Sequence, residues 1–125
     1  MNSSGETPNQ AGRSNPSAAS GAASRLERLQ ALVAAEPNDT FCLYGLAQEY
    51  AQRGQHDEAI RWYDRCLAVD PNYCYAYYHK AKALEAAGRA GDAVRVLQTG
   101  LERARSSGDR QAVSEIGAYL DELDA

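Results

Sequence analysis

A chain of 125 residues with 44% hydrophobic content fits one ordinary domain and leaves no room for two independent cores. Its 13 Lys and Arg against 17 Asp and Glu give a net charge of −4, which disfavours a sequence-independent grip on nucleic-acid phosphates, so no nucleic-acid partner is expected. No stretch approaches the roughly 20 consecutive apolar residues needed to cross a bilayer, and the first residues lack the basic start and apolar run of a secretory signal. The expectation is a cytoplasmic protein without a membrane partner.

Residues 1–23, MNSSGETPNQAGRSNPSAASGAA, hold no large apolar residue after Met1 and cannot offset the entropy of being ordered. They read as a disordered tail. The domain then spans 24–125. Leu26, Leu29, Leu32 and Val33 recur at helical spacing and predict a helix over 24–36, ended by Pro37-Asn38. Asp39 and Thr40 offer side-chain oxygens to cap a second helix that carries Leu43, Leu46, Ala47 and Tyr50 on one face and stops at Gly54. A third, about His56 to Val69, presents Ala59, Ile60, Tyr63, Cys66 and Leu67 and ends at Asp70-Pro71-Asn72. The fourth runs from Cys74 to Ala87 with Tyr77, Ala81 and Leu84 inward, and Gly88 halts it.

The fifth helix, about Ala90 to Ser106, shows Ala93, Val94, Leu97 and Leu101, with Arg103 and Arg105 suited to its C-terminal dipole. A last helix over 109–123 has Val113, Ile116, Leu120 and Leu123 in one stripe. Asp121, Glu122 and Asp124 sit at its electrostatically wrong end, so its final turn is expected to fray. With no period-two alternation and no Asn-Gly or Asp-Gly hairpin between apolar runs, the fold class is all-α.

The stops are periodic. Pro37 and Pro71 lie 34 residues apart, and so do Gly54 and Gly88. A period of 34 with two helices per unit marks an array in which each helix pair buries its apolar face only by stacking on the next. At these residues, above all GQHDEAIRWYDRCLAVDPN from Gly54 to Asn72, the chain resembles the tetratricopeptide repeat family. Leu43, Leu46, Ala47 and Tyr50 fill the family's first-helix places, and Ala59, Tyr63, Cys66 and Pro71 those of its second. The resemblance implies a right-handed stack of helical hairpins with six helices: a half repeat at 24–36, repeats at 40–73 and 74–107, and a capping helix at 109–123. In the second repeat Lys80 stands for the expected leucine, Gly100 for the small helix-contact residue and Arg105 for the proline, departures that predict a looser unit.

Each first helix has a second stripe. Phe41, Tyr44 and Gln48 repeat one period later as Tyr75, Tyr78 and Lys82, at three- and four-residue spacing and facing away from the core stripe. By the resemblance this stripe lines a concave groove, flanked by Gln52, His79 and Glu85. Its aromatics suit recognition of a peptide or helix segment. They equally suit packing against the first helix or the cap. The family's clamp for a chaperone's C-terminal carboxylate is disfavoured, because Tyr44 and Gln48 stand where lysine and asparagine belong and Lys82 is the lone groove cation.

Cys42, Cys66 and Cys74 form no C-x-x-C pair and predict free thiols. His56 and His79 lie on different helices without a clustered ligand, which favours surface histidines over a metal site. No nucleophile-elbow, zinc-protease, P-loop or dinucleotide motif occurs, so no catalytic residue, cofactor or metal is expected. The sequence therefore points to a protein-binding adaptor. The alternatives are a self-assembling scaffold or homodimer joined through the thinly covered Leu26, Leu29 and Leu32, and a non-catalytic regulatory subunit.

Overall fold

A computed structural model describes residues 21–124, which form six helices and no strand. The first, α1 (Gly21–Ala35), starts three residues before the Ser24 marked by the apolar spacing; the rest of the expected tail, residues 1–20, lies outside the described residues. Next come α2 (Thr40–Gln52), α3 (His56–Val69), α4 (Cys74–Ala86), α5 (Ala90–Ser107) and α6 (Arg110–Asp124). Asp39 caps α2 by accepting from the Cys42 N–H at 3.2 Å, and Asp109 caps α6 by accepting from the Ala112 N–H at 3.0 Å. The turns after α2 and α4 require left-handed backbone, and Gly54 and Gly88 supply it with φ of +76° and +80°.

Helices pack on their chain neighbours in a stack of antiparallel hairpins, α2 on α3, α4 on α5, with α1 and α6 at the two ends. Two buried clusters result. The first gathers Val33, Leu43, Leu46, Ala47, Ala59, Tyr63 and Cys66; the second gathers Ala81, Leu84, Ala93, Leu97, Ala104, Ala112 and Ile116. Ile60 of α3 packs against both and joins them. Each fully buried leucine contributes about 1.5–3 kcal/mol by leaving water. The alanines contribute by being small: Ala47, Ala59, Ala81 and Ala93 are fully buried where neighbouring helices meet.

Several sequence expectations change. At Gly100 the second repeat is closely packed, because the glycine lets α5 approach α4 until a Cβ at that position would stand 2.6 Å from Tyr77 Cβ. Lys80 keeps its ammonium at the surface of the stack by pairing with Asp64 of α3 at 2.5 Å. Arg105 in place of proline has a visible effect: without a helix breaker α5 continues to Ser107, 18 residues against the 14 of α3. The end of α6 is helical in spite of its acidic residues. It stays helical through Asp124 because Leu120 and Leu123 pack on the second cluster, outweighing the unfavourable charges.

At the N-terminal end, α1 is held on α2 by more than its apolar stripe. Glu49 of α2 is 3% exposed and meets Arg25 of α1 at 3.1 Å and Arg53 at 3.1 Å. Gln30 donates to the Tyr50 hydroxyl at 3.1 Å. Leu26 and Leu29 are half-buried, whereas Leu32 is 49% exposed and falls outside the buried stripe.

Candidate functional site

The face shared by α2 and α4 carries a cleft of about 240 Å3 lined by Gln48, Ala51, Gln52, His56, Tyr63, His79, Lys82 and Ala83. First-helix residues supply most of the wall, since α2 and α4 touch each other across the intervening α3. The small Ala51 and Ala83 leave the space open. Four of the nine residues expected from the sequence, Gln48, Gln52, His79 and Lys82, line this cleft together.

The aromatic residues form a ladder beside it. Tyr44 packs on Tyr73 (centroids 5.0 Å apart), His79 (5.8 Å) and Tyr63 (6.0 Å). His79 continues to Tyr78 at 5.1 Å, and Tyr78 to Tyr119 of α6 at 5.3 Å and to Tyr75 at 6.5 Å. Tyr44 is thus half-buried against the first cluster, and Tyr78 against the capping helix, instead of pointing freely away from the core. Of the expected stripe Phe41 is the one aromatic standing clear, 76% exposed at the start of α2. Glu85 accepts from the Tyr119 hydroxyl at 2.5 Å, which fixes the far rim.

Burial sets the proton chemistry of these groups. It is the main reason that the Tyr44 hydroxyl is pushed up to about 12, helped by Tyr73, and that Tyr63 is raised as well. Tyr63 donates to the Gln48 amide oxygen, so Gln48 is oriented from below. The His79 imidazole is held below its ordinary value, first by burial and then by the nearby Lys82 ammonium. Lys82 lies 5.4 Å from the Tyr78 ring and 5.0 Å from the Tyr119 ring, a cation seated on two aromatic faces.

Several of these residues escape a reading of the sequence. His56 and His79 are not independent surface histidines: both are half-buried and line one cleft, with the His56 Nδ1 buried and without a partner. Among the described residues no group of three or more His, Cys, Asp or Glu is placed to hold a metal ion. Tyr119 is not singled out by its stripe, although it stands 34 residues after its partner Glu85, the period of the array itself. Tyr73 and Glu49 carry no such signal, because their roles depend on neighbours in other helices.

Two family models of the tetratricopeptide repeat match residues 41–73 and 62–95. A TPR repeat-containing protein of Pseudomonas aeruginosa is 30% identical over 99 residues, covering 79% of this chain and 94% of that one. The chain belongs to the tetratricopeptide repeat family. Among solved structures, the solution structure of a Bordetella parapertussis protein matches with a TM-score of 0.70 and 31% identity over 79% of this chain and 86% of that chain. PcrH, crystallised in complex with the chaperone binding region of PopD, matches with a TM-score of 0.77 over 82% of this chain and 78% of that chain; at 18% identity the likeness is one of fold. No helix among the described residues of this tetratricopeptide protein is long and apolar enough to cross a membrane.

Proposed function

We propose that this tetratricopeptide protein is a non-catalytic, cytoplasmic interaction module that receives a peptide or helical segment of a protein partner on the face shared by α2 and α4. The observation that carries the reading is the cleft of about 240 Å3 bordered by an aromatic ladder, a concave surface with a few placed polar groups. Rings already packed on one another lose little entropy when a ligand covers them, which favours binding. Phe41 at one end, Tyr75 beside the ladder and Glu85 at the far rim extend the surface beyond the cleft. A chaperone of the same fold is known in complex with a segment of its partner, and we carry that mode of use to this chain as part of the proposal.

Photo-crosslinking tests it. A benzophenone amino acid at Gln52, exposed on the cleft wall, is expected to trap the cellular partner, whereas the same group at Gln98, exposed on α5, traps far less. Equal yields from both positions would remove the cleft as the binding site.

A second reading, a homodimer, is favoured by one observation. Leu32, Phe41 and Val69 are exposed by 49%, 76% and 42%, and all three lie at the end of the bundle where α1 and α3 finish and α2 begins. Light scattering over a concentration series discriminates: a mass that stays at one chain throughout excludes self-association.

A further inference from the structure

Six cations of the described chain are held in ion pairs. Lys80 pairs with Asp64, Arg25 and Arg53 with Glu49, Arg61 with Glu58, and Arg89 and Arg95 with Asp92. Lys82 is in none of these pairs; it is the one Lys or Arg on the cleft wall, and the Tyr78 and Tyr119 rings position it. Glu85, one turn further along α4, is engaged by the Tyr119 hydroxyl. The eight residues lining the cleft include Lys82, two histidines and two carboxamides but no carboxylate, on a chain whose net charge is −4. A cleft wall with one ammonium and no carboxylate, on an acidic protein, is the reverse of what composition alone would place there.

We propose that the partner segment carries an aspartate or glutamate next to an apolar or aromatic residue, the carboxylate docking on Lys82 at the cleft and the neighbouring side chain lying on the Tyr44–His79–Tyr78 ladder. This rests on the cleft being the binding site. Charge complementarity selects the occupant: a basic segment would meet Lys82 with no carboxylate on the cleft wall to offset it, and a neutral one would leave the ammonium unpaired. The ladder contributes apolar area, and the carboxylate contributes register.

The test uses random linear peptides displayed on phage and selected on the full chain. Cleft binders are those lost with Gln52→Trp, which fills the cleft from an exposed position. They are expected to be enriched in Asp and Glu, and a synthetic example should lose about tenfold in affinity on Lys82→Met, which keeps the stem over the rings and removes the charge, and equally when its own acid is made the amide. Repeating the selection on Lys82→Glu should exchange the enrichment for Lys and Arg. Cleft binders without acidic enrichment, indifferent to Lys82→Met, would overturn the acidic partner and leave the cleft standing. Finding no peptide sensitive to Gln52→Trp would overturn the cleft as the site, and this inference with it.

Discussion

Gly100→Ala tests the close approach of α5 to α4. The added Cβ would lie 2.6 Å from Tyr77 Cβ, 2.9 Å from its Cγ and 3.3 Å from its Cδ2. Carbon atoms in comfortable contact stand about 3.5 Å apart or more, so α4 and α5 must separate by roughly 0.9 Å. Tyr77 cannot swing clear, because the struck atom is the root of the side chain and the hydroxyl is tied to the Pro71 carbonyl at 2.6 Å. Overpacking of this kind costs about 1–3 kcal/mol, and the better helix propensity of alanine returns up to about 1 kcal/mol. The net loss, up to about 2 kcal/mol, corresponds to a fall in Tm of up to roughly 15 °C for a domain of this size. Thermal unfolding followed by circular dichroism measures it. Gly91→Ala is the control: it lies near the start of the same helix, and a Cβ there would have nothing within 4 Å, so only the propensity gain applies. If both variants melt at or above the wild-type temperature, α5 does not approach α4 at Gly100 and the second repeat is looser than described.

The remaining predictions concern core, ion pairs and site. Ala59→Leu and Ala93→Leu, both at fully buried positions, should each destabilise by about 1–3 kcal/mol in urea titrations, with unchanged midpoints contradicting the helix register. Glu49→Ala should cost about 1–3 kcal/mol because it strands the partly buried Arg53 and frees Arg25, whereas Arg25→Ala, removing a 58% exposed partner, should cost less than about 1 kcal/mol. Tyr44→Ala with Tyr78→Ala is expected to lower stability by several kcal/mol, since both rings are packed, while Phe41→Ala leaves the melt unchanged; the reverse order would show the rings to be free. For pH, Tyr44 ionises near 12 in the folded state against about 10 when unfolded, so its contribution is complete below pH 10 and lost as pH climbs toward 12. Absorbance titration should therefore show a late-ionising tyrosine class whose transition coincides with alkaline unfolding, and a single class at the ordinary value would refute the burial of these rings. Cys66, pushed up to about 11 by burial, should resist thiol reagents at pH 8 until urea is added.

Periodicity carried most of the architecture into the sequence. The 34-residue recurrence of Pro37 with Pro71 and Gly54 with Gly88 located the turns, and apolar spacing between them located the helices and the core residues Leu43, Leu46, Ala59, Tyr63 and Leu97. These are local signals: a proline or glycine stops a helix through its own backbone, and a stripe repeats because 3.6 residues make a turn. Four cleft residues were legible for the same reason, being on the same faces of equivalent helices.

What needed the tertiary structure was everything decided by a neighbour distant in sequence. Whether Gly100 loosens or tightens the second repeat depends on where Tyr77 lies, and the stripe around Gly100 says nothing of that. Whether Tyr44 and Tyr78 are presented or buried depends on Tyr73, Tyr63 and the capping Tyr119. The placing of His56 and His79 on one cleft, and a cleft wall around Lys82 that holds no carboxylate among the described residues, likewise come from how three helices are set against each other. Helical spacing fixes which way a side chain faces; only the way helices pack on one another fixes what it meets there, and it is the meeting that sets burial, charge and the chemistry of the cleft.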